Sequence, residues 1–380
     1  MNNLHISLTK LTHESRLIKQ TATISSLSEI EHIFIAGLHA EDLNKEEKIT
    51  DKISLKRFAL KTRGLNKSLP VQILKYLEFV FRVFFFYKKK NINIVNIHSL
   101  ALLPLGYLLR LIYGAKLIYD THELETETNN LKDLRKKLSK WTEYLLIKKV
   151  DHIFVVSENI AEWYEKTYNI TRPTVLFNAP RVAYVNKTGY FKNIFHLRDD
   201  QIITLYQGGL TAERGIDILL EAFKKNTNDK IVIVFMGYGE LEREIQSVSK
   251  SYKNIFFHET VPPDMVLNYT ASADVGIALI KNTCLSYNFT MPNKLFEYAM
   301  AGLPVIVSNV KEMSAFVEKN QIGVVVEDYT VASLNKAIER LLSIDLAVLK
   351  QNAKKVALDN SWEHQEKIMR NIYKKLLVLT

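Results

Sequence analysis

Short apolar runs rich in β-branched residues recur along this chain, and helical stretches separate most of them. In the first half they read LHISLT (4–9), HIFIAGL (32–38), ISLKRFAL (53–60), IVNIH (94–98), AKLIYD (115–120), HIFVVS (152–157) and TVLFN (174–178). In the second half they read IITLYQGG (202–209), KIVIVFMGYG (230–239), NIFFHETV (254–261), ADVGIALI (273–280), LPVIVS (303–308) and IGVVVE (322–327). Strands this apolar belong in parallel sheets covered on both faces, and the intervening helices supply the crossovers. A polar linker, NAPRVAYVNKTGYFKN (178–193), divides the two series. The expected fold is α/β, with two Rossmann-like, doubly wound domains facing each other across a cleft. A chain of 380 residues is long enough to give each domain its own core.

Composition narrows the function classes. One cysteine, Cys284, leaves no internal disulfide framework and no cysteine-rich metal site, as suits a reducing cytoplasm. The first residues, MNNLHISLTKLTHESR, make a poor signal peptide because polar residues interrupt the apolar run. The formal net charge of +10 suggests phosphate-bearing ligands or an anionic membrane surface. Nucleic acid is not expected, since the lysines are scattered and no nucleic-acid motif is present.

No stretch reaches the roughly 20 uncharged apolar residues that span a bilayer. The nearest, LPVQILKYLEFVFRVFFFYKKK (69–90), is a helix with a narrow polar stripe of Gln72, Lys75, Glu78 and Arg82. It either packs on a sheet with that stripe in water, or lies on an anionic bilayer with its aromatics down and Lys88–Lys90 at the headgroups. The second alternative makes a peripheral membrane protein of the inner face of the cell membrane.

In open α/β sheets ligands bind beyond the carboxyl ends of the strands. His13 and Arg16 follow the first run, His98 the fourth, and Asp120, His122 and Glu123 the fifth. Any one of these has a plainer explanation as a turn or a helix cap. Two glycine-rich turns, YQGGLTAERG and MGYGELEREI, put Gly208, Gly209, Gly237 and Gly239 at strand ends. Such turns let backbone amides approach phosphate, although Gly-x-Gly is as often only a turn.

The stretch TMPNKLFEYAMAGLP (290–304) is a short helix bracketed by Pro292 and Gly302. Asn293 and Glu297 share one face, and Lys294 adds charge where amides are unpaired. Met291, Pro292, Asn293 and Lys294 can hold phosphate at the tip, and Glu297, one turn deeper, can accept hydrogen bonds from a pair of hydroxyls. A pyrophosphate joined to a ribose has that layout. Alternatively Glu297 caps a neighbour or pairs with Lys294.

PNKLFEYAMAGLPVI, together with YQGGLTAERGIDILLEAF and MGYGE, resembles the donor-binding domain of family 4 glycosyltransferases of the PNKLFEY type, which have the GT-B fold. YDTHE (119–123), IHSLALLPLG (97–106) and NSWEHQEKIMRNIYKKLL resemble that family's acceptor-side motifs and its terminal helix. The resemblance implies an acceptor domain of 1–178 completed by a helix over 361–380, and a nucleotide-sugar donor domain of 179–360. It implies a retaining transfer to a glycan or lipid-linked acceptor, as in surface polysaccharide assembly. Glu297 would bind the donor ribose, Arg214 and Lys294 the diphosphate, and His122 would lie near the sugar. Where the family often has glutamate eight residues before Glu297, this chain has Phe289, and where many members have arginine it has Gly209.

A departing nucleoside diphosphate needs its charge neutralised by a metal or by fixed cations and helix dipoles. No D-x-D motif ends a strand and no His/Cys/Asp ligand cluster is evident, so a metal-free reaction is expected, without a cofactor. A nucleotide-sugar 2-epimerase and a non-catalytic nucleotide-sugar-binding subunit remain as alternatives of the same architecture.

Overall fold

The computed structural model describes residues 1–378 apart from His13, Lys67 and Asn130. The chain divides into two compact units: Met1–Leu176 with the segment from Glu366 onward, and Phe177–Gln365.

Unit 1 is built on an eight-stranded sheet of Asn2–Ile6 (β1), His32–Leu38 (β2), Glu46–Lys48 (β3), Ile53–Phe58 (β4), Ile92–Ile97 (β5), Lys116–Asp120 (β6), His152–Val155 (β7) and Thr174–Val175 (β8). The strand order is β3-β4-β2-β1-β5-β6-β7-β8. All pairings are parallel except β3 with β4. Three residues of EEK are too short and too polar to announce a strand, and β3 exists because it pairs along β4. The helices are Ser15–Ser25 (α1), Leu69–Tyr87 (α2), Leu103–Tyr113 (α3), Asp133–Leu146 (α4) and Glu158–Tyr168 (α5).

Unit 2 has six parallel strands, Ile202–Gly209 (β9), Ile231–Tyr238 (β10), Ile255–His258 (β11), Val275–Ala278 (β12), Val305–Ser308 (β13) and Gly323–Val326 (β14), in the order β11-β10-β9-β12-β13-β14. Its helices are Tyr190–Ile194 (α6), Ile216–Lys225 (α7), Glu242–Ser249 (α8), Val266–Thr270 (α9), Leu285–Asn288 (α10), Asn293–Met300 (α11), Lys311–Asn320 (α12), Val331–Ser343 (α13) and Leu346–Asp359 (α14). The run IVIVFM explains the two layers. Val232, Val234 and Met236 enter one core beneath α11 and α14, while Ile231, Ile233 and Phe235 enter another beneath α7 and α13. In both sheets the first strand of the series sits centrally and the order reverses beside it, between β1 and β5 and between β9 and β12. Crevices at such reversals are where open α/β sheets bind ligands.

Trp362–Val378 (α15) ends the described chain. Its first turn belongs to unit 2, where the Trp362 amide donates to the Pro180 carbonyl at 2.8 Å. Further on, Tyr373 is buried in unit 1 and its hydroxyl lies 2.6 Å from Asn96 Oδ1.

Helix α2 packs on the sheet, as the first alternative expects, with the Phe79 and Tyr87 rings against Phe58 of β4 and Phe34 of β2. Only Phe79, Val83 and Tyr87 are buried, a single i, i+4, i+8 stripe. Its polar stripe does not face water alone: Glu78 accepts from the Lys61 and Thr62 amides and pairs with Arg82, and Lys75 donates to the Leu65 carbonyl. The exposed face is apolar instead, with Phe81 59% and Phe85 64% accessible and their rings stacked. Among the described residues, no helix is long and apolar enough to cross a membrane.

Candidate active site

Strand β9 ends on Gly208-Gly209 and β10 on Gly237-Tyr238, paired in parallel register. The two chains come so close that a Cβ on Gly237 would stand 1.9 Å from the Gly208 carbonyl oxygen. Only glycine lets both strands finish there. Gly208, at φ +108, then turns the chain past the head of α11. Pro292 stands at the N-cap of that helix, and Gly302, at φ +72, just past its end. These elements enclose a pocket of about 410 Å³ within unit 2.

The pocket gathers Gly208, Gly209, Gly237, Arg214, Pro292, Asn293, Lys294 and Glu297. Two further expected donor-site residues, Met291 and Gly239, do not line it. Met291 is buried in the core, and Gly239 serves a turn that packs on the Leu210 backbone.

Lys294 Nζ sits 3.8 Å from the centre of the Tyr206 ring, whose hydroxyl is tied to the Gly209 carbonyl at 2.7 Å. Burial and then the charge of Arg214 lower the Lys294 ammonium from 10.5 to about 7, while Glu297 pulls it back up. The Arg214 guanidinium rests 5.2 Å above the Tyr287 ring. Two cations held on aromatic faces near the head of an eight-residue helix make an electropositive basin that an anion would relieve.

Glu297 is positioned by a residue the sequence did not reveal. Gln207 Nε2 donates to Glu297 Oε2 at 2.5 Å, and Thr270 Oγ1 lies 2.7 Å from Gln207 Oε1. The Gln207 backbone amide in turn donates to Tyr298 Oη at 3.1 Å. A polar side chain at the end of an otherwise apolar strand was the available signal. At Phe289, Lys311 Nζ lies 5.5 Å from the ring centre, so the position carries an aromatic ring with a cation beside it.

In unit 1 the strand ends build a closed polar cluster around Asp120. Arg16 Nε reaches Asp120 Oδ2 at 2.9 Å and its Nη2 reaches Oδ1 at 2.5 Å. Gln20 donates to Oδ2 at 2.8 Å, and His98 Nδ1 and His122 Nε2 each lie 3.2 Å from it. His5, buried on β1, continues the chain to His98 Nε2 at 2.9 Å. Burial alone would raise the Asp120 carboxyl, but the Arg16 charge and the hydrogen bonds from His122, His98 and Arg16 hold it well below the usual range. Burial keeps His98 and His5 below the ordinary histidine value. His98, Asp120 and His122 place one ligand atom each within 4.8 Å of one another, a grouping that could hold a metal ion and that the sequence did not disclose. The Arg16 guanidinium lies on both Asp120 oxygens, so a cation there would have to compete with it. Glu123 is exposed on the turn after His122. His13 lies outside the described residues.

Residues 190–356 match the model for glycosyl transferases group 1, and residues 32–179 the model for glycosyltransferase family 4. An uncharacterized glycosyltransferase of Methanocaldococcus jannaschii is 21% identical over 61% of this chain, a match that spans only 60% of that relative's length. Sucrose-phosphate synthase from Thermosynechococcus elongatus superposes with a TM-score of 0.82 at 16% identity, over 100% of both chains. The Anabaena protein HepE, in complex with UDP-glucose, gives 0.73 at 12% identity over 99% of this chain and 100% of its own. Two family models that together match residues 32–179 and 190–356, and a two-sheet architecture shared with these structures, place the chain in the family 4, group 1 glycosyltransferases, with the GT-B fold.

Proposed function

We propose that the protein transfers a sugar, with retention, from a nucleotide sugar bound in the unit 2 pocket to a glycan or lipid-linked acceptor on the unit 1 side. The observation that carries this is the arrangement at α11: cationic Lys294 and Arg214 by its tip, and a fixed carboxylate, Glu297, one turn deeper. The Anabaena relative in complex with UDP-glucose supports a nucleoside diphosphate as the donor's leaving group.

In this mechanism Glu297 accepts from the two ribose hydroxyls while Gln207 keeps its carboxylate in place. Arg214, Lys294 and the first amides of α11 take the charge that grows on the diphosphate as the glycosidic bond breaks. They fill the role a divalent ion would otherwise have, so the reaction needs none. His122, oriented by Asp120, is assigned to the sugar. The acceptor hydroxyl loses its proton late, to the departing phosphate. The exposed apolar face of α2, with Lys88, Lys89 and Lys90 after it, supports contact with the inner face of the membrane, and the role proposed there is surface polysaccharide assembly.

The test is a thermal-shift screen against UDP, GDP, ADP, CMP and their sugars, with and without magnesium. One nucleotide should raise the melting temperature by mass action whether or not magnesium is present. Glu297→Ala removes hydrogen bonds from a charged acceptor and should weaken binding by about 3 kcal/mol, roughly a hundredfold. A mutant that responds like wild type would remove Glu297 from the ribose. The anomeric configuration of the first-formed product, read by NMR, decides retention.

A further inference from the structure

Beside the carboxyl ends of β1, β5 and β6 lies a groove of about 690 Å³ that the polar cluster does not use. Its size falls within the roughly 300–1,000 Å³ typical of small-molecule sites. Leu8 and Leu100 line it from the sheet side, Ile73 from α2, and Leu131 and Leu138 from the α4 side. Among the described residues its one acidic lining residue is Glu125, whose carboxyl group accepts from the Leu100 amide at 2.8 and 2.9 Å and from the Tyr119 hydroxyl at 3.1 Å. Burial pushes Glu125 up to about 8 against those hydrogen bonds, so near neutral pH it is mostly uncharged. The floor of the groove therefore carries little charge.

The walls continue into exposed apolar surface. On α4, Trp141 is 62% accessible, with Leu134 and Leu145 also exposed, and α2 adds Leu77 and Phe81. Helix α3 packs on α4 and meets the end of α2 through the stacked Phe84 and Tyr113 rings, and it exposes Leu111 and Ile112. Apolar patches of this extent mark an interaction site. The charge beside it is basic in excess, with one acid, Asp133, on the first turn of α4. Arg135 lines the groove, and Lys132 and Lys137 are exposed on the same first turns of α4.

We propose that this groove receives the hydrocarbon chain of a lipid acceptor whose head carries phosphate, with Arg135 at the head and the chain between α2 and α4. The geometry suits an anionic amphiphile: an apolar trough with Arg135 in its lining, beside the same carboxyl ends of β5 and β6 that carry His98 and His122. A water-soluble sugar would gain nothing from Leu8, Ile73 and Leu138, and a cationic amphiphile would meet Arg135. This rests on assigning unit 1 to the acceptor, and it names that acceptor's class.

The experiment uses the full chain and alkyl monophosphates from butyl to dodecyl, below their micelle thresholds, in equilibrium dialysis. Affinity should rise about fourfold per added methylene while the chain lies in the groove. Ala101→Trp and Ser139→Trp, each filling the groove from a side chain that is not buried, should lower dodecyl phosphate affinity at least tenfold. Arg135→Ala should weaken every member of the series by the same factor and leave the chain-length dependence intact. Chain-length independence, equal binding by both filled variants, or equal binding of dodecyltrimethylammonium would each overturn the proposal. The thermal shift induced by the same panel of nucleotides is measured in parallel. If it persists while the alkyl series fails, the groove assignment alone falls; if it is absent from the wild type, the donor site falls on its own account.

Discussion

Units 1 and 2 both collect charge at the carboxyl ends of their sheets, and they treat it in opposite ways. Around Asp120 the charges are closed on themselves: the carboxylate takes Arg16 on both oxygens, with Gln20, His98 and His122 completing the set. Around Lys294 they are open. Two cations lean on tyrosine rings in a pocket with room for a ligand, and burial has already weakened the hold of one on its proton. A closed network fixes structure and orients what projects from it, here His122. An open one stores electrostatic energy that only an incoming anion releases.

The comparison breaks first if Asp120 proves dispensable. Asp120→Ala leaves the Arg16 guanidinium buried, at 4% side-chain exposure, without its counter-charge. Breaking such a pair by removing one partner costs about 3–5 kcal/mol. Chemical denaturation should show that loss in unit 1, while the nucleotide selected by the thermal-shift screen should still bind unit 2. A loss under 1 kcal/mol would mean that the cluster is not the closed network described.

Arg214→Ala should do the reverse. Its guanidinium lies over the Tyr287 ring, a cation–π contact worth about 1 kcal/mol, and stability should change by no more than that. Transfer should fall roughly 100- to 1,000-fold, as when one group stabilising a developing negative charge is removed. Steady-state kinetics with the donor identified by the thermal-shift screen gives the number. A fall in kcat under tenfold would take Arg214 away from the diphosphate.

The two regions also differ in how much of them the sequence discloses. The α11 site is local: Pro292, Asn293, Lys294, Glu297 and Gly302 fall within one helix and its caps, where helical spacing puts Asn293 and Glu297 on one face. Both sheets follow from apolar runs that need no partner to be recognised, and β3 escapes because its only reason to exist is β4. What holds Glu297 was hidden, since Gln207 and Thr270 come from other parts of the chain, 90 and 27 residues distant along the sequence. The Asp120 cluster was hidden in the same way. His5 sits inside a strand, next to its last residue, and reads as core, and His98 and Asp120 meet only because β5 and β6 are neighbours. For α2, periodicity shows that the helix has two faces and leaves open which one the fold covers.

The smallest effect sharpens the contrast most, because it concerns one proton. With Lys294 lowered to about 7 and its unfolded value at 10.5, the unfolded chain holds a proton between those pH values that the empty folded site does not. Stability of the unliganded protein should therefore gain from this group as pH rises from 7 toward 10.5, and the cost of the buried charge is fully present below 7. Nucleotide affinity should run the other way. A bound diphosphate favours the ammonium, so binding takes up a proton above pH 7 and weakens by at most about tenfold per pH unit as the pH climbs. Lys294→Met should abolish both slopes. Calorimetric titrations of the nucleotide selected by the screen at pH 6.5, 7.5 and 8.5, in buffers of different ionisation enthalpy, count the proton directly. Zero uptake at pH 8.5 in the wild type would show that Lys294 keeps its charge in the empty pocket, and the site in unit 2 would then be as self-satisfied as the cluster in unit 1.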